Sequence, residues 1–138
     1  MGAQTEAIPY EEITAQLSRD DRIAVITCNT CVRVCDTGGE EIMPGFARRL
    51  RADGFRVCDE AVVTVACHAD YIRDAMAGSD ATVAVVMACE VGWIAVAQHM
   101  GDRKVVRACT TSGLLSSVPK RKATAPSAAP SPPGRAGG

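Results

Sequence analysis

Ile23-Ala24-Val25-Ile26-Thr27-Cys28-Asn29-Thr30-Cys31-Val32-Arg33-Val34-Cys35-Asp36-Thr37-Gly38-Gly39-Glu40 decides the reading of this chain. A short, branched, continuous apolar run predicts a buried strand over Arg22 to Thr27. It runs into a loop with three cysteines spaced C-x2-C-x3-C, then a glycine pair, then a helical pattern. A strand that ends in a thiol-lined loop opening a helix is the unit from which the rest is read.

Downstream, Ile42, Phe46 and Leu50 recur at i, i+4, i+8, with Pro44 near the start and Gly54 as a stop. These predict an amphipathic helix. Val62-Val63-Thr64-Val65 marks the centre of a second strand within Phe55 to Ala66, and Cys67-His68 follow at once. A short helix over Ala69 to Met76 ends at Gly78-Ser79-Asp80. Ala81 to Ala88 is the clearest strand, followed by Cys89-Glu90 and a helix over Val91 to Met100. Lys104 to Arg107 is a last short strand, ended by Ala108-Cys109. Upstream, Ile8 to Leu17 carries a helix pattern, and residues 1–7 carry none.

This alternation predicts an α/β domain with a parallel sheet of about four strands and right-handed crossovers. A single three-layer, Rossmann-like arrangement over residues 1–118 is expected. Residues 119–138 hold five of the seven prolines together with Ala, Ser and Gly. Such a segment buries little apolar surface and reads as a disordered tail.

The chain of 138 residues suits one domain with a modest core. Lys120, Arg121, Lys122 and Arg135 are the charges of the tail, and without them the net −1 becomes −5 on residues 1–118. That balance gives no electrostatic case for nucleic acid. Met1 to Tyr10 lacks the basic-then-apolar order of a signal peptide, and no apolar run is long enough to span a membrane. A cytoplasmic location is expected, where thiols stay reduced. The seven cysteines then read first as metal ligands or redox groups.

Each predicted strand is followed by a cysteine: Cys28, Cys67, Cys89 and Cys109. Ligands of open parallel sheets bind outside the carboxyl ends of the strands. Cys28, Cys31, Cys35, Cys67 and Cys89 are therefore the candidate metal ligands, expected to converge on one edge. A buried cysteine is also an ordinary small apolar residue, which is the favoured reading for Cys58. Thiolates suit iron–sulfur clusters, and C-x2-C-x3-C supplies three ligands, with Cys67 or Cys89 as the fourth. Backbone N–H groups at Gly38 and Gly39 are candidates to hydrogen-bond a [4Fe–4S] cluster, with Arg33 adding positive charge. Zinc is the chemical rival, although four-thiolate zinc usually takes two C-x2-C pairs. A redox dithiol at Cys28 and Cys31 is the third option. His68 is a further possible ligand, and Trp93 and Glu90 open the helix after Cys89. There is no P-loop, no G-x-G-x-x-G after the first strand and no Ser/His/Asp constellation.

The run from Ile26 to Glu40 resembles the small cysteine-rich subunit of acetogen-type methylenetetrahydrofolate reductases. That subunit carries a strand, then Cys-x-Thr-Cys-Val-x-Val-Cys, then Gly-Gly-Glu. Cys67 is similar to its mid-domain cysteine, and Ala88-Cys89 to its Ala-Cys pair before a helix. The resemblance covers about residues 10–117. It implies an accessory subunit with iron–sulfur and zinc, docked on a flavin-containing partner that reduces methylenetetrahydrofolate, carrying electrons or supporting the complex. The family's further Asn-Gly-Pro-Cys-Gly-Gly segment has no counterpart here, and the Pro/Ala/Ser tail stands in its place. A non-catalytic role in one-carbon metabolism is thus expected. The alternatives are a zinc-binding structural or interaction module and a zinc-thiolate methyl-transfer protein.

Overall fold

The computed structural model describes residues 3–64, 66 and 68–114. In chain order they form β1 (Ala3–Ala7), α1 (Tyr10–Thr14), β2 (Arg22–Cys28), α2 (Cys31–Val34) and α3 (Met43–Ala52). Then come β3 (Arg56–Val63), α4 (Ala69–Ala75), β4 (Val83–Met87), α5 (Glu90–Met100), β5 (Lys104–Arg107) and β6 (Cys109–Leu114). Cys67 and the proposed tail lie outside the described residues.

β3-β2-β4-β5 is a four-stranded sheet in which every neighbouring pair is parallel. Its two inner strands are the continuous apolar runs. All five residues of β4 are buried, and so are Ile23 to Cys28 of β2. A strand enclosed on both faces needs no polar alternation. The edge strand β3 does alternate: Val57 and Val63 are buried, whereas Arg56, Cys58, Glu60 and Val62 are exposed. β2 leads to β3 on one side, and the chain then crosses back to lay β4 on the other side of β2. This reversal makes the gap between the carboxyl ends of β2 and β4 the topological switch point, where open α/β sheets bind ligands.

α3 buries Met43, Ala47 and Leu50. The predicted stripe of Ile42, Phe46 and Leu50 is thus displaced by one position at its first two members. Ile42 is the helix N-cap and stays exposed, and Phe46 is half-buried with its ring 5.8 Å from Tyr10. α5 buries Gly92, Val96 and Met100 at i, i+4, i+8. A Cβ on Gly92 would stand 2.8 Å from the Ala88 Cβ and 3.1 Å from the Ala66 Cβ, so the missing side chain sets how closely the helix start approaches its neighbours.

Two expectations are corrected. Residues 3–7 form a strand, and Cys109 does not end β5 but begins β6. β1 and β6 pair antiparallel, Ala7 with Cys109 and Ala3 with Leu114, as a ribbon separate from the main sheet. The ribbon is held mainly through its backbone, since Thr5 alone is buried in β1. No helix among the described residues is long and apolar enough to cross a membrane.

Candidate functional site

Cys28 is the last residue of β2 and is buried. Its Sγ lies 2.8 Å from Thr30 Oγ1, accepts the Ala66 N–H at 3.4 Å and is 3.9 Å from the Thr64 carbonyl oxygen. Cys28 therefore faces the segment that follows β3. Cys67 is the residue after Ala66 in sequence and is outside the described residues.

Cys31 opens α2 and Cys35 caps its end, so an i, i+4 spacing sets both on one face of that turn. This face is covered by the start of β1. The Ala3 N–H donates to Cys31 Sγ at 3.3 Å, and the Cys35 thiol donates to the Ala3 carbonyl at 3.8 Å. A hydrogen bond of 2.6 Å between the Thr5 and Thr37 hydroxyls anchors the same strand to the end of the loop. Cys109 is buried and donates to the Thr37 carbonyl at 3.2 Å. Cys89 is the half-buried N-cap of α5, with no side-chain capping bond.

Burial pushes the Cys109 thiol up from 9.0 to about 11, with the nearby Cys35 thiol adding to the rise. Hydrogen bonds from Thr37 and the Ala88 backbone oppose it. The folded protein thus holds this proton more tightly than the unfolded chain does. Its contribution to stability is complete below pH 9 and is lost as pH climbs from 9 to 11. In the metal-free protein the loss is expected to reach about 2–3 kcal/mol. Urea titrations at pH 8 and pH 11, with Cys109→Ala as the comparison, measure it: the variant loses this part of the slope.

Cys28, Cys31, Cys35 and Cys89 thus belong to the carboxyl edge of the sheet, as the strand-end pattern predicts. Their sulfurs are not gathered. Among the described residues no three His, Cys, Asp or Glu side chains form a metal-holding group. Cys28 is engaged with the segment after β3, while Cys31 and Cys35 are engaged with Ala3 of β1. The donor set still fits a soft metal in kind, being thiols alone; ligation removes the S–H proton, so Cys35 must give up the bond it donates to the Ala3 carbonyl, whereas Cys28 and Cys31 can keep the backbone N–H bonds they accept. Cys58 is exposed, midway along β3, with its sulfur 3.6 Å from the Asp59 carboxylate.

Gly38 and Gly39 are accounted for differently from their sequence reading. The Gly38 N–H donates to the Val32 carbonyl at 3.2 Å, and the Gly39 N–H to the buried Thr27 hydroxyl at 2.7 Å. Both amides are satisfied within the protein. What the glycines supply is space and, at Gly39, a φ of +97°. Thr27 is the residue that sequence reasoning missed. It is fully buried, and its hydroxyl lies 3.3 Å from the Met87 carbonyl as well. A hydroxyl inside an otherwise apolar strand was the available signal.

His68 caps α4 and is exposed, its ring 5.7 Å from that of Tyr71. Trp93 packs under the Arg107 guanidinium, 4.0 Å from ring centre, and its indole nitrogen is buried without a partner among the described residues. No protein-family model matches the chain, and comparison with curated proteins and with solved structures finds no match.

Proposed function

We propose that this protein is a metal-binding accessory subunit of one-carbon metabolism, holding a [4Fe–4S] cluster through Cys28, Cys31, Cys35 and either Cys67 or Cys89. It serves a flavin-containing methylenetetrahydrofolate reductase partner in the cytoplasm. The observation that supports this most is the coincidence of thiols with the switch point. β2 ends in Cys28 and runs into Cys31 and Cys35, and β4 runs into Cys89. Right-handed crossovers would put α3 on one face of the sheet and α4 and α5 on the other, the three-layer, Rossmann-like arrangement that leaves this edge open.

A bound cluster supplies one-electron transfer. The chain's own residues supply soft donors at the edge, and the Ala3 backbone hydrogen-bonds Cys31 and Cys35, both of which stay partly exposed. Gly38 and Gly39 shape the loop that carries the thiols and are not assigned to the cluster.

Protein made anaerobically with iron supplied tests the reading. About four iron and four sulfide per chain, with visible absorbance, are expected. Zinc without sulfide, in colourless protein, replaces the cluster with a thiolate zinc module.

A further inference from the structure

Among the described residues, the hydrogen-bonded thiols divide by role. Cys35, Cys58 and Cys109 donate to oxygens: the Ala3 carbonyl, the Asp59 carboxylate and the Thr37 carbonyl. Cys28 and Cys31 instead receive backbone N–H groups, from Ala66 at 3.4 Å and from Ala3 at 3.3 Å. These two are the C-x2-C pair. Their donors lie 38 and 28 residues away in the chain, one fully buried after β3 and one at the start of β1. The Cys28 proton has only poor or shared acceptors, the Thr64 carbonyl at 3.9 Å and the Thr30 hydroxyl at 2.8 Å. Losing it costs Cys28 little, and the Thr30 hydroxyl is then able to turn its own proton to the sulfur.

A neutral thiol is a weak acceptor, and an amide gains little from it. A sulfur that carries charge, as a metal ligand does, is a strong one. Two amides from separate parts of the fold, each aimed at one sulfur of the same pair, therefore suit charged sulfurs better than neutral ones. Ala3 turns both its N–H and its carbonyl to the thiols of α2. In an extended chain both groups of one residue point to the same side, so this N–H is not a rung of the ladder to β6.

We propose that Ala3 and Ala66 are positioning residues of the metal centre. Their backbone N–H groups hold the Cys31 and Cys28 sulfurs and offset the negative charge that ligation leaves on them, which makes the C-x2-C pair the anchor of the site. They take the role that the Gly38 and Gly39 amides, bonded to Val32 and Thr27, do not fill. The inference rests on the metal reading above and on neither the identity of the metal nor that of a partner. On ligation each thiol passes its proton to water, and the two N–H donors stay in place.

Cobalt(II), added anaerobically to the metal-free full chain, is the first probe, since its sulfur-to-metal charge-transfer bands report thiolate ligation whichever soft metal is native. Ala3→Pro removes the N–H at the first residue of a strand, where proline is tolerated. It is expected to weaken cobalt binding about tenfold. It is also expected to move the charge-transfer band to longer wavelength, because a sulfur without its donor gives up an electron more readily. Ala3→Ser keeps the amide and is expected to match the wild type in both. Affinity is read at equilibrium, because a strand beside the loop also slows entry. Circular dichroism and melting of the metal-free variants check the fold. The second probe is the wild-type chain loaded with the spin-active cadmium isotope, in which the Ala3 and Ala66 amide protons are expected to couple to the metal through the sulfurs. This measurement decides the matter should Ala3→Pro fail to fold.

Ala3→Pro protein that binds cobalt as tightly as the wild type overturns the inference, and tighter binding means that β1 competes with the metal instead. Weaker binding with an unmoved band assigns the loss to the packing of β1 and overturns it as well. Cadmium that couples to neither amide overturns the proposal directly, and coupling to Ala3 alone strikes Ala66 from it. A wild-type chain that shows no thiolate bands with cobalt overturns the metal reading and this inference together. Bands in the wild type that Ala3→Pro leaves unchanged overturn this inference alone.

Discussion

Cys31→Ser is expected to lower bound iron to about a tenth or less of the wild-type content, because a hydroxyl is a far poorer ligand for soft iron than a thiolate. Cys31 and Cys35 share one face of a single helical turn, and Cys28 ends the strand just before it. In the proposed cluster these three cysteines come from one short stretch of chain, and removing one leaves the other two without a complete cage. Cys58→Ser is expected to keep full iron, since its side chain is exposed in the middle of β3, away from the carboxyl edge. Cys67→Ser and Cys89→Ser identify the fourth ligand, and loss of a different metal in each would reveal two sites. Iron and sulfide analysis of anaerobically purified variants reads all four. Full iron and sulfide in Cys31→Ser would sink the cluster assignment.

Gly38→Val is expected to cost about 4 kcal/mol, near the upper end for a single substitution, and Gly38→Ala about 2 kcal/mol. A Cβ at Gly38 would stand 3.0 Å from the Met87 Cβ, the Thr27 Oγ1 and the Val32 Cγ2. Those atoms belong to β4, β2 and α2, so relief in one direction drives the chain into another element. Gly45→Ala is the control. It lies inside α3, and its nearest neighbour is the mobile end of Arg48 at 3.8 Å. There the substitution is expected to stabilise by about 0.5–1 kcal/mol through helix propensity. Denaturant unfolding of the three variants measures the contrast. A Gly38→Val protein as stable as wild type would mean that the loop is not packed between these elements.

The sequence made β2 and β4 legible because strands buried on both faces must be continuously apolar, and few other structures need that pattern. It also placed Cys28 and Cys89 at strand ends, since strand direction alone decides which edge a following residue joins. The sulfurs' partners were not legible, because they depend on β1, whose Ala-Gln-Thr-Glu-Ala sequence has almost nothing to bury. β1 exists through ladder hydrogen bonds to β6, and backbone donors and acceptors are the same in every sequence. Gly38 and Gly39 misled for a related reason. A glycine kept for space and one kept for an exposed amide look alike until the Thr27 hydroxyl is seen filling the role of acceptor.

The β1–β6 ribbon also imposes an order of events during synthesis. β1 leaves the ribosome more than a hundred residues ahead of its partner strand, since Ala7 pairs with Cys109 and Ala3 with Leu114. Until β6 emerges, Ala3 has no ladder to hold it beside Cys31 and Cys35. The thiol loop and its strand β2 are by then long complete. The nascent chain thus passes through a stage in which the loop is made and its cover is not, and that interval is when a metal donor meets the least obstruction.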